Sequence, residues 1–219
     1  MILRGSGLPA AVSCDTLIGA DGARSVVRRG LGIGAIATYV TLQDYVELDG
    51  EIEPYFDCIY MRGIGDEFAY AYVVPKGDRA AIGSVFYPKT RRPYEKQDQV
   101  IEILRKAMPQ LGKSVKREAA AALYVRNGKD TVPGAGRVLL AGEAGGFMSP
   151  TSGEGLSYAL ETGYQAGLAV AEHAPDQAVE AYRAPPRALH RDLLRRLRWL
   201  PGLGAPTAKF LGRPMPPPL

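Results

Sequence analysis

Residues 136–163 constrain the fold more than any other part of the chain, because a strand, a glycine-rich turn and a helix follow one another there. The segment reads GRVLLAGEAGGFMSPTSGEGLSYALETG. Its apolar run from Arg137 to Ala141 predicts a short buried strand, and the apolar pattern from about Leu156 to His173 predicts a helix. A strand that leads into a helix in this way indicates an open α/β sheet, in which ligands bind at the carboxyl ends of the strands.

The turn between this strand and this helix carries groups suited to a flat or polyhydroxylated ligand. Glu143 follows the strand, where a carboxylate can accept hydrogen bonds from sugar hydroxyls. The N–H groups at the start of the helix favour a negative charge. The alternative is a connection chosen for packing alone, with Glu154 serving as a charge at the helix N-terminus. Small residues and a proline let a ligand approach the backbone closely; they are Gly142, Ala144, Gly145, Gly146, Pro150, Gly153 and Gly155.

A second strand, turn and helix are predicted near the beginning of the sequence, at residues 15–29, DTLIGADGARSVVRR. The tight turn falls at Asp21 and Gly22, and a short helix over residues 23–29 carries Arg24 and Arg28. Asp21 is then either a carboxylate of a ligand site or the N-cap of this helix.

Together the two segments resemble those of flavoproteins in the p-hydroxybenzoate hydroxylase-like superfamily. In that superfamily, IGADG-x-R-S-x-VR and G-R-V-x-L-x-G-[DE]-A-x-G-x-x-x-P motifs both serve the FAD site. The turn is most similar to the branch of geranylgeranyl reductases and electron-transfer-flavoprotein:quinone oxidoreductases, because Gly146 stands where aromatic hydroxylases usually have histidine. The run from Phe68 to Gly77 is similar to the Y-x-W-x-F-P-K run of geranylgeranyl reductases, with Tyr72 and Val74 in place of the usual Trp and Phe.

The resemblance implies a mixed α/β (α+β) fold, the C-terminal portion of a p-hydroxybenzoate hydroxylase-like FAD fold with an antiparallel substrate-domain sheet. Glu143 would bind the ribityl hydroxyls of FAD, and residues Gly153 to Leu156 would approach the pyrimidine edge of the flavin. Asp21 and Arg24 would order the surroundings of the cofactor. The cofactor-binding residues implied in this way are Asp21, Gly22, Arg24, Gly142, Glu143, Ala144, Pro150, Gly153, Glu154, Gly155 and Leu156.

The middle of the chain predicts an antiparallel sheet. Four runs rich in β-forming residues lie between Ile36 and Tyr87, and the links GIGDE and KGDR are short enough for hairpins. An amphipathic helix from Tyr94 to Leu111 and a possible strand from Ala119 to Arg126 follow. The last helix is predicted over Leu189–Leu200, before an extended proline-rich tail.

These elements divide the chain into four predicted segments. Residues 1–35 form part of an FAD-binding domain, and residues 36–130 form the substrate domain with its sheet and one helix. Residues 131–175 return to the FAD-binding domain, and residues 176–219 hold the C-terminal helix and the proline-rich basic tail.

Members of the superfamily open with a strand, a G-x-G-x-x-G turn and a helix that binds the FAD pyrophosphate, and no such opening is recognised here. Residues 32–37, GIGAIA, fit G-x-G-x-x-A by letters but follow a helix end and lead into β-branched residues. We therefore expect either a truncation or a separate N-terminal FAD-domain chain that completes the site. We also expect weak or no FAD binding by this chain alone.

Basic charge is concentrated near the C-terminus. The formal net charge is +4, and eight basic residues against one acidic residue lie from Arg183 onward. This distribution argues against a nucleic-acid-binding surface spread over the fold. Four arginines recur every four residues, so a continuous helix over them would offer either a peripheral membrane contact or a solvated face, although Pro185 and Pro186 weaken such a helix. These arginines are Arg183, Arg187, Arg191 and Arg195.

Other features indicate a cytoplasmic protein. The sequence shows neither a secretory signal nor an apolar stretch long enough to span a membrane. Cys14 and Cys58 lack metal-ligand spacing and are predicted to be buried thiols in a reducing compartment, and no metal site is expected. His173 and His190 are interpreted as surface residues.

The resemblance implies transfer of a hydride or of electrons between FAD and a small hydrophobic substrate, isoprenoid or quinone-like, with NAD(P)H as a candidate electron donor. Tyr70, Tyr72 and Phe86 of the sheet would wall this substrate. Tyr72 is a weak candidate for a proton donor, and a packing tyrosine is the alternative. Two other functions stay open: a flavin-dependent monooxygenase, and a non-catalytic fragment or partner subunit that does not bind FAD alone.

Overall fold

The computed structural model describes residues 12–61, 63–183 and 186–203, which divide into two compact units. The first unit contains residues 12–36, 125–183 and 186–197, and the second contains residues 37–124 and 198–203. The strands are β1 (Leu17–Gly19), β2 (Thr38–Leu48), β3 (Asp57–Ile59), β4 (Phe68–Lys76), β5 (Arg79–Phe86), β6 (Leu111–Leu123), β7 (Gly134–Ala135) and β8 (Val138–Leu140). The helices are α1 (Val26–Gly30), α2 (Pro93–Ala107), α3 (Leu156–Glu172), α4 (Pro175–Arg183) and α5 (Pro186–Leu203).

The first unit is a small α/β layer. Strand β8 pairs in parallel with β1 and antiparallel with β7, giving the order β1–β8–β7. The sequence predictions of a buried strand before the glycine-rich turn and of a helix after it are confirmed. Helix α4 is joined to β8 by the buried Tyr182, whose hydroxyl donates a 3.0 Å hydrogen bond to the Leu140 carbonyl. Strand β8 and helices α3 and α4 contribute Leu139, Ala166, Ala169, Ala178, Val179 and Tyr182 to one core.

The second unit is an antiparallel sheet of order β3–β4–β5–β2–β6, with α2 packed on one face. The predicted antiparallel sheet is confirmed, and the KGDR link forms the hairpin between β4 and β5. The core under α2 contains Leu42, Val46, Phe68, Ala71, Val73, Ala80, Ile82, Phe86, Val100, Ile101, Leu104 and Leu111, among others.

A buried carboxylate also ties α2 to this sheet. Asp44 of β2 is 1% exposed and accepts hydrogen bonds from Gln97 Nε2 at 3.0 Å and from Arg117 Nε at 2.9 Å. The second guanidinium nitrogen of Arg117 contacts Asp98 on α2 at 2.6 Å. Because a buried charge is costly unless it is paired, these donors fix how the helix, β2 and β6 meet.

The predicted end of α2 and the predicted extent of the next strand are wrong. Helix α2 ends at Ala107, because Pro109 disfavours helical backbone at the preceding residue, and Met108 has an extended conformation with φ −129°. Strand β6 covers Leu111–Leu123 rather than residues 119–126, since it pairs along the full length of β2.

The C-terminal helices also differ from the prediction. Helix α4 is additional, and α5 begins at Pro186 rather than Leu189, because the first turn of a helix tolerates proline. Arg183 ends α4, so the arginine row does not lie on one continuous helix. The proline-rich tail lies outside the described residues.

Both cysteines are exposed, so the prediction of buried thiols is wrong. Cys58 lies on β3, a three-residue strand at an edge of the described sheet, and Cys14 precedes β1. Within the described ranges, every helix is too short or too polar to cross a membrane.

We expect the substitution Asp44→Ala to lower the free energy of unfolding by about 3 kcal/mol, because it leaves the Gln97 and Arg117 donors without their buried acceptor. Urea denaturation followed by circular dichroism measures this loss. The control Asp98→Ala removes an ion pair to the same arginine from a side chain that is 66% exposed. It should cost less than about 1 kcal/mol. Equal losses in the two variants would contradict this account of α2 docking.

Candidate functional site

The glycine-rich turn begins where the parallel β1–β8 pair ends. Residues Gly142–Gly145 form a short 3₁₀ turn directly after β8. Gly142 and Gly146 have φ values of +55° and +83°, a left-handed backbone that glycine adopts without strain. The Gly142 N–H donates a 2.8 Å hydrogen bond to Thr162 Oγ1, so the turn is held against α3.

Gly146 is required by its surroundings. A Cβ atom added there would overlap the carbonyl of Asp130, and the positive φ would strain any other side chain. A histidine at this position, as in aromatic hydroxylases, would therefore not fit this turn.

The predicted cofactor residues of the turn differ in exposure. The Glu143 side chain is partly exposed at the end of β8, and Pro150 is partly exposed further along the turn. Ala144 is fully buried, so its methyl group packs inside the first unit and does not face a ligand. At the start of α3, Gly155 is partly buried and Leu156 is 72% exposed.

Glu154 serves the N-terminus of α3. Its two carboxylate oxygens accept hydrogen bonds of 2.7 Å from the N–H and the hydroxyl of Ser157. These hydrogen bonds lower the pKa of Glu154. The interpretation of Glu154 as a charge at the helix N-terminus is confirmed, and this carboxylate already binds the Ser157 N–H in the first turn of α3. The loop is closed further by a 2.7 Å bond from the Ser149 N–H to the Glu154 carbonyl.

Asp21 likewise binds the start of a helix. Helix α1 begins at Val26 with Ser25 as its N-cap, so the predicted helix over residues 23–29 and Asp21 as its N-cap residue are wrong. The Asp21 carboxylate nevertheless accepts 2.6 Å bonds from Ser25 Oγ and the Val26 N–H, and a 3.2 Å bond from the Val27 N–H. Partial burial opposes ionisation, but these hydrogen bonds outweigh it and lower the pKa of Asp21.

The neighbours of Asp21 lie on an open surface. Arg24 precedes the helix instead of lying on it, and its side chain is exposed. Gly22 has φ +72°, and no described atom lies within 4 Å of an added Cβ. A ligand can therefore approach the backbone at Gly22.

Arg28 joins the two predicted cofactor segments, a role that sequence reasoning missed. It is 5% exposed and donates to the Gly34 carbonyl at 2.9 Å and to the Ala144 carbonyl at 3.2 Å. Burial lowers the pKa of its guanidinium, and the charge of Asp130 opposes this shift. The sequence VVRR does not distinguish this buried arginine from the exposed Arg29.

In the second unit, Tyr70 and Tyr72 lie on the face of the sheet opposite α2. The Tyr72 hydroxyl donates a 2.8 Å hydrogen bond to Gln43 Oε1, and its ring lies over Gly83, where an added Cβ would overlap it. Phe56 stacks on this ring with centroids 5.1 Å apart. Burial raises the pKa of Tyr72, and it raises that of Tyr70 to about 12, so both hydroxyls stay protonated at neutral pH.

Phe86 does not share this surface. It is fully buried, pairs with Val40 across β2, and contacts Phe68 with ring centroids 5.8 Å apart in the core under α2. An irregularity between Phe68 and Tyr70 shifts the register, so that Tyr70 pairs with Val85. The prediction that Phe86 lines one wall with Tyr70 and Tyr72 is therefore wrong.

The first unit also contains a cavity of about 300 Å³. None of the predicted cofactor residues lines it, and His190, predicted as a surface residue, is only partly exposed there. Its walls are Thr131, Pro133, Phe147, Arg183, Pro186 and His190.

A parallel strand that leads through a glycine turn into a helix, together with a separate antiparallel sheet, is the arrangement expected from the resemblance to p-hydroxybenzoate hydroxylase-like flavoproteins. Over residues 3–196 the sequence matches the family described as FAD binding domain, and the chain belongs to this family.

Known proteins are similar to this chain in sequence or in fold. Protein CbrA of Escherichia coli is 31% identical over 198 residues, which cover 88% of this chain and 51% of CbrA. A geranylgeranyl bacteriochlorophyll reductase-like protein from Thermoplasma acidophilum has a similar structure, with TM-score 0.71, 20% identity, and coverage of 90% of this chain and 52% of that one. PqsL of Pseudomonas aeruginosa, a probable FAD-dependent monooxygenase, gives TM-score 0.60, 18% identity, and coverage of 90% and 58%. The chain spans about half the length of the curated relatives it matches.

The residues around the turn fit a flavin. Gly142 turns the backbone in a left-handed conformation at the strand end, and the partly exposed Glu143 beside it can accept bonds from ribityl hydroxyls. At Gly155 an added Cβ would meet only Met148 Cγ, at 3.8 Å, which leaves room for a planar ring to approach. FAD is therefore the cofactor whose chemistry this part of the chain suits.

We expect Gly146→Ala to lower the free energy of unfolding by more than about 2 kcal/mol, because backbone strain is added to an overlap with the Asp130 carbonyl. Gly136→Ala is the matched control, since Gly136 has φ +58° with no described atom within 4 Å of an added Cβ. This control should lower the free energy of unfolding by about 1 kcal/mol, because only the left-handed backbone is unfavourable for alanine there. Chemical denaturation measures both, and a smaller loss for Gly146→Ala would refute the steric argument.

The lowered pKa of Asp21 predicts a pH dependence of stability. Because the folded state holds this carboxylate ionised, its contribution is present above the unfolded pKa near ~3.9 and is lost as pH falls through the lowered pKa. The stability difference between wild type and Asp21→Asn should therefore be largest at neutral pH and shrink below about pH 4. Urea unfolding across pH 3–7 tests this, with the exposed Asp66→Asn as control. A difference that grows on acidification would contradict it.

Proposed function

We propose that this chain supplies the flavin-contacting turn and the substrate-contacting sheet of an FAD-dependent oxidoreductase of the geranylgeranyl reductase-like type. The substrate would be an isoprenoid or a quinone-like molecule. The observation that carries the proposal is the unit of β8, the glycine turn and α3 in a chain that belongs to the FAD-binding family.

Two parts of this chain would contact the flavin directly. Glu143 would accept hydrogen bonds from the ribityl hydroxyls, and the backbone of Gly153 to Leu156 would lie along the pyrimidine edge. FAD, when bound, supplies the redox chemistry by accepting and returning a hydride or electrons. Glu154 and Asp21 would act indirectly, since each fixes the start of a helix beside the site.

The substrate surface proposed here is the open aromatic face of the second unit. Tyr70, Tyr72 and the 61% exposed Phe56 offer uncharged aromatic area, which favours an apolar chain or a planar ring over a charged substrate. Gln43 holds the Tyr72 hydroxyl in one orientation. Tyr72 would therefore act first as a rigid packing surface, and burial, which raises its pKa, keeps its hydroxyl protonated at neutral pH.

A monooxygenase is the second candidate, because PqsL, described as a probable FAD-dependent monooxygenase, shares the fold. The two functions differ in their oxidant. Oxygen uptake coupled to substrate hydroxylation favours the monooxygenase, whereas anaerobic reduction of an isoprenoid double bond or a quinone with NAD(P)H favours the reductase.

We expect flavin binding by the purified chain to be weak and to depend on Glu143. Riboflavin and FAD should have dissociation constants within about threefold of each other, which is a difference in binding free energy of ~0.7 kcal/mol. The reason is that the contacts proposed for this chain are to the ribityl chain and the ring, which both molecules contain. Glu143→Ala should weaken both about tenfold, the value of roughly one hydrogen bond to a charged group. Flavin fluorescence titration provides the measurement.

Glu161→Ala, on the polar side of α3, is the control and should leave both dissociation constants unchanged. If neither flavin binds at concentrations up to about 1 mM, any binding free energy is weaker than about −4 kcal/mol. This result would favour the alternative that the chain is a non-catalytic subunit that does not bind FAD alone. If Glu143→Ala and Glu161→Ala change the dissociation constants equally, the proposed contact between Glu143 and the ribityl hydroxyls is wrong.

A further inference from the structure

The cavity of the first unit lies where α4 ends and α5 begins. Arg183 is the last residue of α4, Pro186 is the first residue of α5, and His190 lies one turn further along α5. The remaining walls come from the segment before β7 and from Phe147, which follows the glycine-rich turn. Since none of the predicted cofactor residues lines this cavity, the proposed function does not account for it.

The walls contributed by Phe147 and Thr131 are fixed by the backbone of the turn. Phe147 is 1% exposed, and its N–H donates a 3.0 Å hydrogen bond to the Gly142 carbonyl. Its ring lies so close to Gly145 that a Cβ added there would be 2.6 Å from it. The buried Thr131 donates through its hydroxyl to the Gly146 carbonyl at 3.4 Å. Because these side chains are held in place, the space beside them stays open.

Helix α5 is also anchored next to the cavity. A Cβ added to Gly128 would overlap Leu194 Cδ2 and would lie 3.9 Å from His190 Cε1, so glycine lets the helix approach this turn closely. Leu193 is 1% exposed and packs in one cluster with Phe147. These contacts hold His190 at the cavity wall, one turn before Leu194.

The size and the apolar walls of the cavity suit a small flat molecule. An apolar cavity of about 150 Å³ is large enough for benzene, and this cavity has about 300 Å³. The Phe147 ring and the side chains of Pro133 and Pro186 offer apolar surface on which an aromatic ring packs well. A molecule with one or two fused rings therefore matches the space.

The charged and polar groups of the cavity favour an anion. The Arg183 guanidinium is permanently charged and has several N–H donors, and the His190 imidazole donates at least one N–H in either protonation state. The walls that the structure describes include no acidic side chain. Apolar walls strengthen the attraction of such a positive site for an anion.

The existing partner of Arg183 does not prevent it from binding a ligand. Glu180 Oε2 lies 3.3 Å from Arg183 Nη1, with side chains that are 69% and 46% exposed. An exposed pair of this kind contributes little to stability, so the guanidinium can turn towards another carboxylate at small cost. The sequence from Arg183 onward is basic as a whole, with eight basic residues against one acidic residue.

We propose that this cavity is a binding site for a small aromatic carboxylate. The ring of the ligand packs against Phe147 and the two prolines, and its carboxylate accepts hydrogen bonds from Arg183 and His190. An arginine that binds both oxygens of a carboxylate fixes its orientation as well as its charge. The site is independent of the proposed function, because its residues differ from those assigned to the flavin and to the substrate surface.

The test is binding of 1-naphthoate to the purified full chain, measured by equilibrium dialysis at neutral pH. Naphthalene-1-carboxamide has the same ring without the charge and is the matched control. The carboxylate should bind about tenfold more tightly than the amide, the value of roughly one hydrogen bond to a charged group. Equal affinities overturn the anion site. If 1-naphthoate does not bind at concentrations up to about 1 mM, the cavity is not a site for this class of ligand.

Arg183→Gln tests the carboxylate contact. It should weaken binding of 1-naphthoate about tenfold and leave binding of the amide unchanged, because it removes the charge and keeps much of the side chain. Arg191→Gln removes the same charge from an exposed position of α5 that is not among the described walls, and it should leave both affinities unchanged. Equal effects of the two variants would show that only the overall charge of the helix matters, which overturns the proposal.

His190→Trp tests whether the ligand occupies the cavity. The larger ring fills the space, so binding of both ligands should be lost while the melting temperature of the variant equals or exceeds that of wild type. Phe56→Ala is the control for the aromatic surface of the second unit, where Phe56 is 61% exposed, and it should leave binding unchanged. Loss of binding in Phe56→Ala but not in His190→Trp would place the ligand on that surface and overturn the cavity site.

Discussion

The close contact between β1, α1 and β8 is the constraint on which the first unit depends. A Cβ added to Gly19 would lie 2.8 Å from the side chain of Val27 and 2.9 Å from that of Leu140, so only glycine permits this contact. The buried guanidinium of Arg28 then bonds the Ala144 carbonyl, in the turn that follows β8. Two segments more than a hundred residues apart in sequence are thereby held as one surface.

Two carboxylates of this surface, Asp21 and Glu154, already accept hydrogen bonds from backbone N–H groups and are therefore not free to bind a ligand with the same oxygens. Asp21 and Glu154 each accept hydrogen bonds from the first N–H groups of a helix, where the helix dipole favours negative charge. A flavin that used those N–H groups would have to displace a carboxylate that already binds them.

In the second unit, side chains alternate between the two faces of the sheet, so that one face forms the core and the other forms an aromatic surface. One face of its sheet is covered by α2, with Asp44 and its donors fixing the helix, and the other face carries the tyrosines. Tyr72, Gly83 and Gln43 form one cross-strand row, in which the missing side chain of glycine makes room for the ring and the glutamine holds its hydroxyl. This row gives the aromatic surface a fixed shape without charge.

The sequence by itself determined the local elements, because their signals are local: the apolar strand of β8, the glycines of the turn, the apolar pattern of α3 and the short links of the sheet. Even the early end of α2 was present in it, as Pro109. Only the tertiary structure decided which arginine is buried, why Gly146 excludes a side chain, and on which face Phe86 lies. Each of these depends on a partner distant in sequence. Arg28 bonds the Ala144 carbonyl, Gly146 lies against the Asp130 carbonyl, and the face of Phe86 relative to the tyrosines follows from the β4–β5 register. Such contacts are set by packing between segments, and periodicity along one segment does not encode them.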